Sequence, residues 1–214
     1  MLNASIAAAK AARARLVFPG NVDNDGPDAF PSLTEGSPQN PLTRKGAFGC
    51  KWNRRSRRLR RKRLKVLIVR GGDSTGPKQA GAWLGQVFLT PGKPVTRATY
   101  PRPLSVEHCR VFLPDPAEIM AHLAERNSLG DFEIFHMRGQ TLSGEAMVAA
   151  LARVVGRKLP VIQLPWFALQ AISPFDETLR ERLEMRDLWN TPVRLNNARL
   201  VARLGTEPLT PRAA

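Results

Sequence analysis

The sequence predicts an α/β fold with a parallel sheet, and three observations support this prediction. Residues 65–70 (Lys-Val-Leu-Ile-Val-Arg) form an uninterrupted β-branched run, which is typical of a parallel strand covered on both faces. Further apolar runs are separated by segments in which apolar residues recur at helical spacing. Strands that alternate with helices indicate parallel pairing, because a chain that re-enters a sheet in the same direction needs a crossover.

The first half of the chain is predicted to contain a helix, a strand and a long loop before the run at 65–70. Asn3 can cap an alanine-rich helix over 3–14, and a strand over 15–19 ends at Pro19-Gly20. Residues 21–41 are dense in Asn, Asp, Gly, Pro and Ser, which favours a loop. Loops of this length inside compact domains are usually functional.

The second half continues the alternation after an edge strand over 95–100. Pro-Asp-Pro at 114–116 is a strong helix start, the segment 141–145 resembles a capping box, and Gly156 is placed to end the helix that follows. The predicted elements are helix 114–126, strand 132–137, helix 145–155, strand 161–164, a helical turn at 166–171, and helices 177–189 and 197–204.

Composition excludes several classes of function. No apolar run approaches the roughly 20 residues of a membrane-spanning helix. Two cysteines and three histidines without ligand spacing predict neither a disulfide framework nor a metal site. A reducing, cytoplasmic setting is therefore expected.

Several segments share their order with the motifs of one known family. Residues 66–77 match its sixth strand and R-P-x-x-x-x-G-P loop, 112–118 match its V-x-D-x-A helix entry, and 132–145 match the segment leading to its smaller domain. Residues 15–28 match its fifth strand and v-Y-G loop. In this order the motifs resemble the extended short-chain dehydrogenase/reductase family, the NAD-dependent epimerases and dehydratases.

The resemblance implies an incomplete Rossmann-type parallel sheet with a smaller, mostly helical C-terminal substrate-side domain. Residues 1–138 would form the C-terminal half of the NAD(P)-binding domain, interrupted by a basic run at 47–65, and residues 139–214 the small domain. The chain then corresponds to the C-terminal two-thirds of a family member, without the first four strands.

Three positions of the family's acid/base machinery fall on residues of this sequence. Asn21 stands at the position of its serine or threonine, Lys45 at that of its tyrosine and Gly49 at that of its lysine. The resemblance thus makes Asn21 and Lys45 the candidate catalytic residues. The single tyrosine of the sequence, Tyr100, is followed four residues later by Leu104, so no Tyr-x-x-x-Lys pair exists.

The resemblance also implies a cofactor site. Gly71, Gly72 and Asp73 would line the nicotinamide side of a cleft that holds NAD or NADP. The residues alone favour a simpler interpretation, a turn after a buried strand. The sequence contains no G-x-x-G-x-x-G turn, whose backbone amides would hold the pyrophosphate.

The expected function is therefore that of an epimerase-, dehydratase- or reductase-like protein that lacks the family's catalytic pair. Full-length relatives act on a nucleotide-sugar or similar small-molecule substrate, and this chain is expected to be inactive. A non-catalytic dinucleotide sensor or interaction protein on the same fold is one alternative, and a basic nucleic-acid-binding protein is another.

The net charge of +15 is local and needs its own explanation. Residues 51–65 contain ten Lys and Arg and no acid, which leaves +5 for the rest of the chain. This run could bind nucleic acid non-specifically, form a solvated helix face, or be a segment translated out of frame. Because it shows no apolar stripe, a helix here is expected not to cover the sheet, which would leave part of one face exposed.

Overall fold

The computed structural model describes residues 2–59, 64–76, 93–101, 103–126, 128–164, 166–184 and 186–210. Eight helices and ten strands lie within these ranges. The helices are α1 (Leu2–Ala11), α2 (Arg44–Leu59), α3 (Pro114–Ala124), α4 (Gly144–Val155), α5 (Trp166–Ile172), α6 (Glu177–Glu184), α7 (Arg186–Asn190) and α8 (Ala198–Leu204). The strands are β1 (Leu16–Gly20), β2 (Ser32–Leu33), β3 (Val66–Arg70), β4 (Asp73–Thr75), β5 (Ala98–Tyr100), β6 (Glu107–Phe112), β7 (Phe132–His136), β8 (Gln140–Ser143), β9 (Val161–Gln163) and β10 (Arg194–Leu195).

A three-stranded parallel sheet in the order β1-β3-β7 forms the centre of the molecule. All five residues of β3 are buried, as its apolar run predicts. The α/β fold class with a parallel sheet is thereby confirmed.

The two faces of this sheet are covered by different elements. Val66 and Ile68 pack on one side in a cluster that includes Ile6 of α1 and Leu59 of α2. Leu67 and Val69 point to the other side, because successive side chains of a strand alternate, and join a larger cluster. That cluster also contains residues of α3 and α8, namely Ile119, Leu123 and Leu200.

The expectation that the arginine-rich helix cannot cover the sheet is wrong. Helix α2 buries one face, on which small and polar side chains replace a branched apolar stripe. Its Trp52 ring lies 4.7 Å from the ring of Phe18, centroid to centroid. Much of this face packs on the loop after β1, where Gly46 meets the Asp23 carbonyl and Cys50 meets the Asn24 carbonyl, while Leu59 and Trp52 join the cluster on the sheet. The buried residues of this face are Gly46, Cys50, Asn53, Ser56 and Leu59.

Three smaller sheets extend the molecule beyond the central one. β4 and β6 are parallel while β6 and β8 are antiparallel, β5 pairs with β9, and β2 pairs with β10. The pairing of β5 with β9 and of β6 with β8 connects segments on both sides of residue 138. The division into domains 1–138 and 139–214 stays a prediction.

Most predicted elements are confirmed to within a few residues, and the helix predicted over 177–189 is described as α6 and α7. Helix α4 is capped by Ser143, whose Oγ accepts the Ala146 amide at 3.2 Å, and it ends at Gly156 with φ of 73°. Positive φ is the conformation that glycine adopts without strain at a helix end. Strand β6 escapes prediction because His108 and Arg110 interrupt its apolar pattern, although both are buried.

Candidate functional site

A cavity of about 400 Å³ opens beyond the carboxyl ends of β1 and β3. The first half of α2 forms one wall, with Lys45, Phe48 and Gly49, and the β3–β4 turn forms another. Ligands of open parallel sheets bind at this edge, because the loops that follow the strands meet there. The volume lies within the range of small-molecule sites.

Glycines bring α2 against the loop that follows β1. A Cβ atom at Gly46 would collide with the carbonyl oxygen of Asp23, so the helix can approach this closely only with glycine there. Thr43 caps the helix, since its Oγ1 accepts the Gly46 amide at 2.9 Å. The start of α2 is therefore fixed beside residues 21–25.

The two candidate catalytic residues meet at one carboxylate. Asn21 Nδ2 donates to Asp23 Oδ2 at 2.6 Å, and Lys45 Nζ lies 2.9 Å from the same oxygen. Asp23 is buried, whereas the Lys45 side chain is 69% exposed. The structure thus brings Asn21 and Lys45 together through Asp23, which the sequence analysis did not single out; Asn-x-Asp directly after β1 was the available signal.

The position of the family's lysine is filled by a different side chain. A Cβ atom at Gly49 would collide with Oδ1 of Asn24, whose side chain is buried and lines the cavity. The Asn24 carbonyl also accepts from Cys50 Sγ at 3.3 Å. A longer side chain at 49 would therefore require Asn24 to move.

Two of the three candidate cofactor residues line the large cavity, and the third lines a smaller cavity beside it. Gly71 and Gly72 line the cavity, and both also pack against β6. A Cβ at Gly72 would collide with the Cys109 carbonyl, and one at Gly71 would lie 2.9 Å from Val111 Cγ1. Close packing on β6 is thus one sufficient reason for both glycines. Asp73 lines a neighbouring small cavity, where its Oδ2 accepts from Arg110 Nη1 at 2.5 Å.

Arg110 is at the centre of a buried polar and aromatic group. Its guanidinium donates to the Tyr100 hydroxyl at 3.3 Å and lies 5.6 Å from the Trp189 ring centroid. Burial raises the pKa of Tyr100, against the effect of Arg110, and burial lowers that of His108 to about 4. Tyr100 does not line the 400 Å³ cavity.

A second buried group of charges lies below the cavity, on the α2 side of the sheet. Arg70 Nη1 is 3.7 Å from Asp25 Oδ2, and both side chains are almost completely buried. Burial raises the pKa of Asp25 to about 6, although Arg70 opposes this shift. Burial likewise lowers the pKa of His136 to about 4, against the effect of Glu35, which accepts the His136 amide at 2.9 Å.

The described residues contain neither a candidate metal site nor a candidate membrane span. No group of three His, Cys, Asp or Glu residues there could hold a metal ion. In the same part of the chain, no helix is long and apolar enough to cross a membrane. Cys50 and Cys109 are buried free thiols, and burial raises the pKa of Cys109 to about 12.

Comparison with known proteins shows which solved structures share the fold of this chain. No family model matches the sequence, and no curated protein matches it. Solved structures do match it. A monomeric L-threonine 3-dehydrogenase from a metagenome has a TM-score of 0.70 at 16% identity, and the match covers 98% of this chain and 65% of that one.

Two other similar structures contain nucleotides. One, solved with UDP-glucuronic acid and NAD, has a TM-score of 0.69 at 15% identity and covers 98% of this chain and 64% of its own. The dTDP-glucose 4,6-dehydratase DesIV from Streptomyces venezuelae, solved with NAD, has a TM-score of 0.66 at 16% identity, with 96% and 59% covered.

These matches establish the fold. The chain has a Rossmann-like α/β fold, similar to that of the dehydrogenase and of the dehydratase named above. It spans between 59% and 65% of the length of the three structures named. At 15–16% identity, the similarity to these structures shows a shared fold and does not show a shared activity or substrate.

The residues present fit a nicotinamide cofactor only in part. Asn21, Lys45, Gly71 and Gly72 surround a cavity large enough for one end of a dinucleotide. A cradle for the pyrophosphate needs a glycine-rich turn at a helix N-terminus, and the sequence contains no G-x-x-G-x-x-G. The cavity is therefore better matched to a small ligand or to the nicotinamide end than to a whole dinucleotide.

Proposed function

We propose that this protein is an epimerase/dehydratase-like protein that binds a nucleotide-sugar or similar small molecule without catalysing the family's hydride transfer. The cavity beyond β1 and β3 would receive the ligand, with Asn21 and Lys45 beside it. The observation that carries the proposal is the combination at positions 45 and 49: a lysine paired with Asp23, and a glycine whose side-chain space Asn24 occupies.

Hydride transfer from an alcohol needs a base for the hydroxyl proton. In the family this base is a tyrosine assisted by a lysine four residues later. Here the first position holds an ammonium group, and general-base lysines are desolvated, whereas Lys45 is 69% exposed. Lys45 keeps ammonium N–H donors beyond its contact with Asp23, and these are therefore proposed to donate to an oxygen of the ligand, together with the second N–H of the Asn21 amide.

The nicotinamide cofactor is proposed to bind weakly to this 214-residue chain. Gly71 and Gly72 leave backbone facing the cavity, while Asp73 is occupied by Arg110. Without a glycine-rich turn, we expect dissociation constants for NAD and NADP above about 10 μM. The two buried thiols support a proposed cytoplasmic location.

A pair of adjacent lysine and arginine residues allows a matched test of the ligand site. Lys45 lines the cavity, whereas Arg44, also exposed, is directed to Glu184. With UDP-glucose as the probe in calorimetry, Lys45→Ala should weaken binding by about tenfold, the worth of one charge-assisted hydrogen bond. Arg44→Ala should change it by less than about twofold.

Turnover is tested separately from binding. NADH formation from a panel of nucleotide-sugars should be undetectable with the wild-type chain. Turnover that depended on Asn21 or Lys45 would show that the protein is an enzyme and would refute the proposed lack of hydride transfer. Equal loss of UDP-glucose binding in Arg44→Ala and Lys45→Ala would remove the cavity as the binding site. Binding without turnover, with NAD bound as well, would instead favour the dinucleotide-sensor alternative.

A further inference from the structure

Helix α2 carries an unusual concentration of positive charge on its outer surface. It contains seven Lys and Arg residues and no acid. Helix α1, which lies on the same face of the sheet, also has no acid. Residues 1–70 hold 16 of the 33 Lys and Arg but 4 of the 18 Asp and Glu. Two of those four, Asp23 and Asp25, are buried with cations of their own.

Some cations of α2 are already engaged within the protein. Arg44 faces Glu184, Lys45 faces Asp23, and the Arg57 guanidinium lies 5.3 Å from the ring centroid of Phe132. Arg55 donates to Asn3 Oδ1 at 2.7 Å. These contacts explain why part of the positive charge is stable in the folded protein.

Three cations of α2 have no such partner. Lys51, Arg54 and Arg58, called here the basic stripe, are exposed and make no ion pair or hydrogen bond within the described residues. Their spacing of three and four residues puts them on one face of the helix, opposite the buried face with Asn53 and Ser56. From the first to the last they span about 10.5 Å along the axis.

We infer that the basic stripe is a binding surface for the sugar-phosphate backbone of nucleic acid, without sequence preference. Like charges repeated along one helix face repel one another and are stabilised when a polyanion neutralises them. A duplex carries one negative charge per about 1.7 Å of its axis, so several phosphates face a stripe of this length. Release of their condensed counterions would drive the association.

The alternative occupant, an anionic membrane surface, fits the helix less well. A helix that lies in a membrane interface presents an apolar face to the acyl chains. The apolar residues of α2 are directed elsewhere: Trp52 packs on Phe18, and Leu59 belongs to the core beside the sheet. Phe48 is exposed, but it lines the cavity at the other end of the helix.

The test measures binding of the full chain to a labelled DNA duplex of random sequence at several salt concentrations. The variant carries Lys51→Gln, Arg54→Gln and Arg58→Gln together. Loss of three phosphate contacts should make the slope of log K against log salt shallower by about 2.7. Between about 50 mM and about 150 mM salt, the wild-type affinity should then fall about 20-fold more than that of the variant.

A second variant controls for net charge alone. Arg126→Gln, Arg153→Gln and Lys158→Gln remove the same charge from exposed positions outside α2 and should leave the salt slope nearly unchanged. Unaltered circular dichroism in both variants shows that the fold persists. An equal effect of the two variants, retention of the full slope without the stripe, a marked preference for one sequence, or stripe-dependent binding to phosphatidylserine vesicles but not to DNA would each overturn the inference.

Discussion

The two faces of the central sheet are covered in opposite ways. On the α3 side, Leu67 and Val69 of β3 meet Ile119 and Leu123, and the cluster is almost entirely apolar. On the α2 side, the ends of the strands carry Arg70, His136 and the nearby Asp25, while the covering helix contributes Asn53 and Ser56. One sheet therefore has a mainly apolar face, whose buried Glu133 is paired with Arg199, and a face with several buried polar and charged groups.

The two faces therefore make different contributions to the stability of the fold. Burial of aliphatic side chains stabilises the fold by about 25 cal/mol for each Å² removed from water. A buried polar atom without a hydrogen bond costs about 1–3 kcal/mol. Asp25 Oδ1 and Oδ2 and Ser56 Oγ are buried without a hydrogen-bond partner among the described residues. The candidate site lies beyond the ends of the strands, where Asn53 and Arg70 of this costly side form part of its lining.

The largest expected effect comes from the apolar face. Leu123 is fully buried in the α3 cluster, so Leu123→Ala should lower the free energy of unfolding by about 3 kcal/mol through lost burial and a new cavity. Urea unfolding with an unchanged m-value would measure this loss.

Leu59→Ala is the matched change on the α2 side. Leu59 is 9% exposed, whereas Leu123 is completely buried. Its truncation should therefore cost less than that of Leu123, about 2 kcal/mol. If the two variants lost the same stability, or if Leu59→Ala lost more, the assignment of stability to the α3 face would be wrong.

The contrast between the faces also explains which elements the sequence predicts. The α3 side follows the standard pattern, with Pro-Asp-Pro at the helix start and aliphatic residues at helical spacing, and α3 is correctly predicted. Helix α2 violates that pattern, since Gly46, Asn53 and Ser56 of its buried face carry no hydrophobic signal. Its buried face is recognisable only once the strands against which it packs are known.

The next prediction concerns the dependence of folding stability on pH through the charged groups of the α2 side. The pKa of Asp25 is raised from 3.8 to about 6, so the folded protein holds this proton more tightly than the unfolded chain. This group therefore contributes stability at low pH that is lost as the pH rises from about 4 to about 6. His108 and His136, with pKa values lowered to about 4, act in the opposite sense: their contribution increases as the pH rises.

Asp25→Asn should remove the contribution of Asp25, which decreases as the pH rises. The contribution of the two histidines, which increases as the pH rises, should remain. The stability of the variant, relative to that of the wild-type protein, should increase by about 2 kcal/mol between about pH 4.5 and about pH 6.5. Loss of the ion pair with Arg70 changes the stability at both pH values and does not affect this difference. Urea unfolding at both pH values measures this difference. Parallel stability curves for the two proteins would mean that Asp25 titrates in the folded state as it does in the unfolded chain.

The candidate site is predictable only in part, for a related reason. The family resemblance points to Asn21 and Lys45, and the fold brings both to one carboxylate. It gives no indication that Asp23 would be that carboxylate, or that Asn24 would fill the space beside Gly49. Both residues lie in the long polar loop after β1, where composition predicts a loop but not which side chains turn inward.

The smallest expected effect tests the α2 packing directly at Ser56. This side chain is 0% exposed, and its hydroxyl has no hydrogen-bond partner among the described residues. Ser56→Ala removes the unpaired hydroxyl, and alanine also has the higher helix propensity, so we expect a gain of about 1 kcal/mol in the free energy of unfolding. Ser56→Val is the control: it adds volume at a completely buried position, and it should destabilise the protein by about 1–2 kcal/mol. If Ser56→Ala destabilised the protein in urea unfolding, the hydroxyl would have a partner. If Ser56→Val were neutral, the buried face of α2 would not be closely packed, and the contrast between the two faces would lose its physical basis.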